Sequence, residues 1–542
     1  MLSKFIKNTP NSVWLLLLGF GFYIPFLGQV HLFDWDEINF AESAREMLLT
    51  GDYLTVQIDF KPFWEKPPLF FWLQVLCMKA FGISEFSARL PNAVIGIVTL
   101  QVLYQVGKKL HDKAFGFLWA IAFWGSLAPH LYFKTGIIDP TFNLFIFLSI
   151  YFFSKFLSPK LQNIPWSALL AGVFMGLAIL TKGPVALLIG TLSFGVFILV
   201  HLRTESLPNG FLRYVIFFII STFLVASIWF GLEFARHGKW FFEQFLAYQI
   251  RLFSIPDAGH EQPFYYHFIV LLIGCFPASV FAVKGIFNKN FKTSKPFVLL
   301  MQCLFWVVLI LFSIVRTKIV HYSSMAWFPV TYLAVYAHRQ YLDEALAWSK
   351  SLKVALLIIG ILIGVLLMAI PLIGMNSFEI MPYIHDDFVL GNLQTPMSWA
   401  GWEWAIGLCF IIALCVFVYR QFALGLYATM AITLWLYVGF VVPRIEPYIQ
   451  GAAIDFYKSF EDQDVYINTL GFKSYAHLYY FGKQIPKNQK SYDENWLLNG
   501  KVDKPTYFVT KNTEAAQYMT NPNLSLIKEE NGFVFFRRKP RF

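Results

Sequence analysis

The sequence places an uncharged apolar segment, WLLLLGFGFYIPFLG (residues 14–28), shortly before an acidic one, FDWDEINFAESAREM (residues 33–47). With its weakly polar flanks, the apolar segment reaches the roughly 20 residues that a membrane-spanning helix requires. Bulky residues continue to Phe33 with no small-residue cleavage site, so we interpret the segment as a retained anchor rather than a signal peptide. Acidic side chains against a membrane are costly unless they serve a function; the alternative is a solvated helix N-terminus.

The composition of the whole chain is that of a membrane protein. Of its 542 residues, 57% are hydrophobic and 14% are charged, whereas globular proteins have about 45–50% apolar and about 25% charged residues. The net charge is +10, but the basic residues are spread over short loops, so we expect no nucleic-acid partner. The cysteines show no CxxC or paired spacing, which predicts neither a disulfide framework nor a zinc cluster.

The apolar segments predict an α-helical polytopic membrane protein with about thirteen transmembrane helices. The predicted spans are residues 12–31, 88–107, 114–133, 138–156, 163–181, 183–202, 212–233, 265–285, 296–315, 324–338, 352–374, 401–419 and 423–442. With the N-terminus inside, most basic loop residues lie on the cytoplasmic side. The short outer loops hold only four cations: Lys134, Lys182, Arg316 and Lys318. This asymmetry predicts a multi-pass protein of the cell inner (cytoplasmic) membrane.

Two outer segments, residues 32–87 and 234–264, are too long to be simple connections, and long loops usually carry function. The first predicts a helix from Asn39 to Leu49 that ends at Gly51, and a second amphipathic helix after Pro68. Both helices could lie flat at the membrane interface.

The composition turns polar after the last predicted span. Alternating residues predict strands near 465–469, 506–510 and 532–537, separated by turn residues. We therefore divide the chain into a transmembrane domain, residues 1–443, and a small soluble α/β domain on the periplasmic side, residues 444–542. We expect this second domain to cover an outer cavity or to select an acceptor.

Polar residues recur at the outer ends of the predicted spans. They are Glu65 and Lys66 beside Pro67-Pro68, Lys134 and Asp139, Lys182, Arg251 with His260, and Arg316-Thr317-Lys318 with His321-Tyr322. Each alone is explained by a snorkelling cation or a helix end. Together they indicate one membrane face, where cations can neutralise a leaving phosphate and carboxylates can orient or activate an acceptor.

The order of these motifs resembles the protein O-mannosyltransferase superfamily, and most closely its bacterial branch, the undecaprenyl-phosphate-aminoarabinose:lipid A transferases. The resemblance is carried by Asp36-Glu37, Ala41 to Met47, Gly51-Asp52-Tyr53, Glu65 to Pro68, Ala88 to Pro91, Lys182-Gly183-Pro184, Gly259-His260, Pro263 to Tyr266, and Ser313 through Lys318 to Tyr322. It covers residues 12–335 and extends to the remainder only as architecture. Residues 134–138 depart from the family pattern.

The resemblance implies a type C glycosyltransferase fold with a catalytic aspartate that matches Asp36. We expect Glu37 and Asp139 to belong to the same catalytic group. The predicted ligands of the donor phosphate are Lys66, Lys182, Arg251, Arg316, Lys318 and Tyr322. By the same resemblance, Glu65 and His260 could hold a divalent metal, zinc or magnesium; the alternative is a structural pair and no cofactor.

The predicted activity is transfer of a glycosyl group, with inversion, from a polyprenyl-phosphate donor such as an undecaprenyl-phosphate sugar. The acceptor would be lipid A, another glycan or a protein in the envelope, and membrane lipids would surround the chain. A transporter or lipid flippase is the main alternative, although such proteins place their sites near the midplane between repeats. A structural subunit whose C-terminal domain binds a partner is a third possibility.

Overall fold

The computed structural model describes residues 10–157, 164–203, 206–207, 209–254, 262–287, 296–343 and 346–539. The helices of the first part of the chain are α1 (Asn11–Tyr23), α2 (Asp36–Thr50), α3 (Leu69–Phe81), α4 (Glu85–Leu110), α5 (Lys113–Trp124), α6 (Leu127–Tyr132), α7 (Asp139–Ser154), α8 (Ile164–Lys182), α9 (Val185–His201), α10 (Phe211–His237) and α11 (Lys239–Ser254). A short antiparallel pair, β1 (Gln57–Ile58) and β2 (Lys61–Pro62), lies between α2 and α3.

The second part continues with further apolar helices and ends in a small sheet. Its helices are α12 (Tyr266–Gly274), α13 (Ala278–Ile286), α14 (Pro296–Ile314), α15 (Trp327–Asp343), α16 (Lys350–Met375), α17 (Ser377–Ile380), α18 (Asp387–Leu393), α19 (Ala405–Tyr419), α20 (Ala423–Phe440), α21 (Val442–Glu446), α22 (Ala452–Lys458), α23 (Ala476–Phe481), α24 (Glu494–Asn499) and α25 (Asn512–Met519). The strands are β3 (Tyr466–Leu470), β4 (Thr506–Lys511), β5 (Leu524–Glu530) and β6 (Phe533–Arg538). A 3₁₀ helix, Val320–Ala326, precedes α15.

Each predicted span contains a helix, and the chain is a multi-pass membrane protein. Among the described residues, six helices are long and apolar enough to cross a membrane, and a bent pair could form a seventh span. The outward surface of α10 is apolar: Leu212 and Phe223 are 72% and 69% exposed, as expected for a face in contact with lipid. The number of thirteen spans stays a prediction.

Three of the predicted spans are not continuous helices. The first ends at Tyr23, two residues before Pro25, because proline cannot donate to the helical ladder. The third divides into α5 and α6 at Gly125 and Ser126. The eighth divides at Pro277 into α12 and α13, which are bent by 119°. Reading each apolar run as one straight helix was therefore wrong at these positions.

Close helix packing sets the position of the outer end of α8. Gly172 and Gly176, one turn apart on α8, face α10; a side chain at Gly172 would collide with Ser221 Oγ and the Phe218 carbonyl, and one at Gly176 would meet Val225. Small residues at this spacing allow membrane helices to approach closely. Lys182, the last residue of α8, is therefore carried by a tightly packed helix.

The outer segment after α1 is buried more deeply than predicted. Helix α2 begins three residues before the predicted start and ends at Gly51, whose φ of 72° confirms the predicted glycine cap. All residues from Glu37 to Met47 are buried, so α2 does not lie at the interface with one face exposed. The reason is that membrane helices and the C-terminal domain cover it on different sides.

The C-terminal sheet has the strand order β3-β4-β6-β5, with β3 parallel to β4 and the other pairs antiparallel. The three predicted strands are confirmed within one residue at each end. Strand β5 was missed because it is an edge strand whose residues from Leu526 onward are exposed and partly charged, so it lacks a clear alternating pattern. The helix α23, which follows β3, meets the segment after α1 directly, since Leu32 N donates to the Tyr480 hydroxyl (2.6 Å).

Candidate active site

A cavity of about 790 Å³ lies where the ends of several helices meet the C-terminal domain. The start of α2, the start of α7 and the end of α8 all reach it, because α7 and α8 run in opposite directions. The cavity brings together these residues of the predicted site: Asp36, Glu37, Glu65, Lys66, Asp139, Lys182, Arg251 and Tyr322. Residues far apart in the sequence thus face one space at one membrane side.

Two carboxylates flank His321 in this cavity. The His321 Nε2 atom lies 3.4 Å from Asp36 Oδ2 and 3.7 Å from Asp139 Oδ2. Asp139 is also bound to Lys182, with 2.5 Å between Oδ1 and Nζ, and only 6% of its side chain is exposed. The Asp36 side chain is 37% exposed. Asp36 is therefore the carboxylate that an incoming ligand can reach, whereas Asp139 is held by protein cations.

The surroundings of His321 act against its charged form. Burial lowers the pKa of His321, and the nearby Lys182 and Lys66 ammonium groups lower it further, although Asp139 and Asp36 act in the opposite direction. A neutral imidazole can accept or donate one hydrogen bond according to its tautomer. With a proton on Nε2, His321 can thus orient the Asp36 carboxylate.

Glu37 is held entirely by protein groups. Its Oε1 accepts hydrogen bonds from Arg89 Nε (2.9 Å) and Gly136 N (2.6 Å), and its Oε2 accepts from Arg89 Nη2 (2.8 Å) and Phe33 N (3.0 Å). Burial opposes ionisation, but these contacts outweigh it and leave the pKa of Glu37 below its ordinary value. Arg89 in turn donates to carbonyls that end the first span: Leu27, Val30 and His31. This geometry favours a positioning role for Glu37 over the predicted catalytic one.

The cationic side of the cavity is built around aromatic rings. The Lys66 Nζ atom and the Arg251 guanidinium carbon lie 5.3 Å and 5.2 Å from the centroid of the same ring, that of Tyr248. The Lys182 Nζ atom lies 5.0 Å from the Tyr322 ring centroid. Burial lowers the pKa of Lys66, and Lys182 adds to that effect, while Glu65, Asp36 and Asp139 favour its charged form. Clustered cations in a partly buried space suit a phosphate group.

Two predicted phosphate ligands do not line the cavity. The chain is extended at Ile319, where Thr317 and Ile319 face the cavity at alternate positions, and the 3₁₀ helix that follows adds His321 and Tyr322. Side chains of an extended segment alternate between two sides, so Arg316 is exposed to the outside and Lys318 is buried elsewhere. Arg316 and Lys318 were predicted from their charge, and neither side chain lines this cavity.

Another outer cation, Lys134, has a structural role. Its Nζ donates to the carbonyls of Phe22 (2.8 Å), Tyr23 (3.3 Å) and Pro25 (2.7 Å), which are left without helical partners where α1 ends. Lys134 therefore stabilises the break in the first predicted span and does not enter the cavity.

Only one of the two predicted metal ligands lies among the described residues. Glu65 lines the cavity, but His260 lies outside the described residues. Within the described ranges, no group of three or more His, Cys, Asp or Glu side chains is arranged to hold a metal ion. The metal stays a prediction.

The site also contains residues that the sequence did not single out. Lys473 and Tyr475 reach the cavity from the C-terminal domain, and Tyr132 reaches it from the end of α6. No local pattern marks the first two, because their place depends on how the C-terminal domain packs on α2. His321 was named in the sequence among the polar residues of this membrane face, but no role was predicted for it.

The sequence matches a family model described as dolichyl-phosphate-mannose-protein mannosyltransferase over residues 65–229. The chain is 24% identical over 440 residues to the undecaprenyl phosphate-alpha-4-amino-4-deoxy-L-arabinose arabinosyl transferase 2 of Proteus mirabilis, covering 76% of this chain and 77% of that protein. A similar transferase of Photorhabdus laumondii is 24% identical over 455 residues, or 81% and 78% of the two chains. The resemblance predicted from the motifs is confirmed.

The fold is that of ArnT from Cupriavidus metallidurans, solved bound to undecaprenyl phosphate. The two structures superpose with a TM-score of 0.74 over 98% of this chain and 99% of that one, at 16% sequence identity. Because the sequence identity is only 16%, this structural similarity shows the fold and nothing more. The predicted type C glycosyltransferase fold, with many apolar helices and a small C-terminal sheet, is thereby confirmed.

Proposed function

We propose that this chain, which has the motifs and the fold of the protein O-mannosyltransferase superfamily, is a glycosyltransferase that uses a polyprenyl-phosphate sugar as donor. The transferred group, a pentosyl or hexosyl unit, would pass to an envelope acceptor such as lipid A, another glycan or a protein. The similar proteins of Proteus and Photorhabdus are named for arabinosyl transfer from undecaprenyl phosphate, which supports undecaprenyl phosphate as the carrier.

The observation that carries this proposal is the division of the cavity into an acidic and a cationic side. Asp36, His321 and Asp139 form the acidic side, and Lys66, Arg251 and Lys182 form the cationic side around Tyr248 and Tyr322. Transfer from a lipid phosphate needs both, because the acceptor must be oriented while negative charge develops on the departing phosphate.

In the proposed reaction, an acceptor oxygen attacks the anomeric carbon of the donor sugar from the side opposite the phosphate. The bond from the anomeric carbon to the phosphate oxygen breaks, and the lipid phosphate leaves with the electron pair; one displacement inverts the configuration. Lys66, Lys182 and Arg251 would stabilise the leaving phosphate, and Tyr322 would lie beside it. Asp139 would fix the Lys182 ammonium through their 2.5 Å contact.

The role of Asp36 depends on the acceptor. A hydroxyl acceptor loses its proton during attack, and Asp36 would act as the general base, with His321 beside it. A phosphate acceptor is already anionic, and Asp36 and His321 would then orient it.

We place the cavity on the periplasmic side of the inner membrane. The support is the charge asymmetry of the loops, since Lys108 and Lys109 end α4 opposite the end that carries Arg89. The C-terminal sheet would lie on the same side as the cavity that it covers.

The test is transfer by the purified chain in detergent. The protein would be incubated with an undecaprenyl-phosphate sugar and with lipid A, and products would be followed by mass spectrometry. We expect a sugar-modified acceptor and free undecaprenyl phosphate in equal amounts. The same chain would also be reconstituted in proteoliposomes, where movement of the donor across the bilayer without any cleavage would instead support the transporter or flippase and refute the transferase.

We also propose to test Glu65 as one ligand of a divalent metal. Activity would be compared before and after treatment with EDTA, and with zinc or magnesium added back. Loss and metal-specific recovery, absent in Glu65→Gln, would support the metal; full activity in EDTA would exclude a readily removed metal.

A further inference from the structure

The C-terminal domain contributes one loop, residues 471–475, to the wall of the main cavity. The loop begins where β3 ends, at Gly471, whose φ of 75° favours glycine. The Ser474 side chain and the Tyr475 backbone lie close enough to Asp34, two residues before Asp36, to act against the rise in its pKa that burial causes. The loop therefore lies next to the acidic side of the cavity.

Lys473 in this loop presents a cation to the cavity. Its Nζ atom lies 5.2 Å from the Trp35 ring centroid and 5.3 Å from the Tyr475 ring centroid. The side chain is exposed, and within the described residues its contacts are with these rings rather than with a carboxylate. Because Trp35 directly precedes Asp36, an anion bound by Lys473 would lie on the acidic side, away from the cations around Tyr248.

A second cavity, of about 490 Å³, lies on the other side of the same loop. Lys473 and Tyr475 line both cavities. The second cavity is lined by polar groups of Asp59, Asn468, Thr469 and Glu494, among others. Such groups suit the hydroxyls of a sugar.

The position of this second cavity fits a ligand site. Strand β3 is parallel to β4, and the cavity lies at the carboxyl end of β3. Sheets with parallel strands commonly bind ligands outside the carboxyl ends of those strands. The outer loop closes the cavity through Asp59, which is paired with Lys483 at 2.5 Å.

We propose that residues 471–475 are the acceptor-binding element, with the sugar portion of an anionic glycan headgroup in the second cavity and its phosphate on Lys473. This inference rests on the proposed glycosyl transfer. Asp36 alone would repel an anionic acceptor, and Lys473 offsets that repulsion. The donor phosphate keeps its separate site on Lys66, Lys182 and Arg251, so one chain binds two anions at two places.

The test uses the full chain in nanodiscs with an undecaprenyl-phosphate sugar and two acceptor probes, bisphosphorylated lipid A and lipid A without phosphates. We expect Lys473→Gln to raise the KM for the bisphosphorylated probe about tenfold, the effect of losing one charge-assisted hydrogen bond, while the KM for donor stays unchanged. Lys473→Arg should restore most of the affinity. The control is Lys504→Gln, whose ammonium lies 5.4 Å from the Tyr466 ring, outside both cavities, and also pairs with Asp464.

Equilibrium binding of both probes without donor separates this inference from the proposed function. If the wild type transfers sugar but Lys473→Gln leaves acceptor KM and binding unchanged, the inference is wrong and the transferase stands. If the wild type transfers nothing, the transferase fails and the acceptor role fails with it, and weaker binding of the bisphosphorylated probe by Lys473→Gln would then show only an anion site on Lys473. Failure of the wild type to prefer that probe, or a loss explained by a lower melting temperature, also overturns it.

Discussion

The start of α2 and its later part, residues 42–46 and called here its opposite end, carry acidic residues in contrasting surroundings. At the start, Asp36 is partly exposed in the cavity beside His321. In the later part, Glu42 is fully buried and forms two 2.7 Å hydrogen bonds with Arg45, which also donates to the Lys483 carbonyl (2.7 Å). The first carboxylate retains a face for a ligand, and the second has only protein partners.

Within one helix, this difference distinguishes an acid that can contact a ligand from one that stabilises the fold. Both ends are acidic in the sequence, so charge alone cannot tell them apart. A carboxylate whose partners all belong to the protein fixes the fold, and one that faces a cavity can act on a substrate. The contrast predicts that changes at the start of α2 reduce turnover, whereas changes at its end reduce stability.

The largest expected effect is at the cavity end. Asp36→Asn should reduce transfer by about 10³-fold or more, because it removes the carboxylate that orients or activates the acceptor. The melting temperature should not change, since the amide is of equal size. The measurement is initial rate with an undecaprenyl-phosphate sugar, with Asp52→Asn, an outer-loop acid outside the cavity, as the control. Near-normal rates in Asp36→Asn would remove Asp36 from the mechanism.

At the opposite end, Arg45→Met should lower the free energy of unfolding by about 3–5 kcal/mol, because it leaves Glu42 charged and buried without a partner. Each molecule that remains folded should keep its turnover number. Thermal unfolding in detergent measures the loss. The control is Arg236→Gln, whose pair with Asp52 is 48% and 32% exposed and should contribute at most about 1 kcal/mol. Equal losses of unfolding free energy in both variants would contradict a stabilising role for the buried pair.

Acid should weaken the packing of the C-terminal domain on α2. Burial lowers the pKa of His477 to about 3, with a smaller effect from Lys483, whereas an unfolded histidine titrates near about 6.5. The folded state therefore binds fewer protons, so this stability is complete above about pH 6.5 and is lost as the pH falls towards 3. The expected loss from pH 7 to pH 5 is about 2 kcal/mol. His477→Leu should flatten the profile, and an unchanged slope would exclude His477 as its cause.

The smallest effect concerns Glu46, on the same end of α2. Burial and the neighbouring Glu42 raise the pKa of Glu46 from 4.5 to about 9. The folded state therefore binds more protons than the unfolded state between these values, so this contribution to stability is complete below about pH 4.5 and is lost as the pH rises towards 9. Glu46→Gln should stabilise the protein by about 1 kcal/mol at neutral pH and flatten that decline. The side-chain oxygen of the new amide can still accept the hydrogen bond that Phe60 N donates to Glu46. A destabilised variant would show that the ionised form is required.

Local features of the sequence predicted much of the fold. Gly51 ends α2 because a left-handed cap needs only its neighbours, and the apolar runs contain the helices because lipid requires internal hydrogen bonding. The breaks at Tyr23 and Pro277 were missed because apolar composition continues across them. Hydropathy describes which residues meet lipid, and it does not describe where the backbone turns.

The candidate site was predictable where motifs fix the side chains to helix ends. Asp36, Asp139 and Lys182 stand at the first or last residues of their helices, so their side of the membrane followed from topology. Arg316 and Lys318 were misplaced because the direction of a side chain in an extended segment depends on register. Lys473 could not be predicted, since its place depends on contacts between distant parts of the chain.

The packing of α2 against the C-terminal domain has a consequence for biogenesis. Arg45 and the Lys483 carbonyl are separated by 438 residues, and Leu32 and Tyr480 by 448. A ribosome releases the early loop long before its covering partners leave the exit tunnel. The catalytic chamber would therefore be assembled only when synthesis is nearly finished, and a nascent chain stalled before Tyr480 would be inserted but inactive.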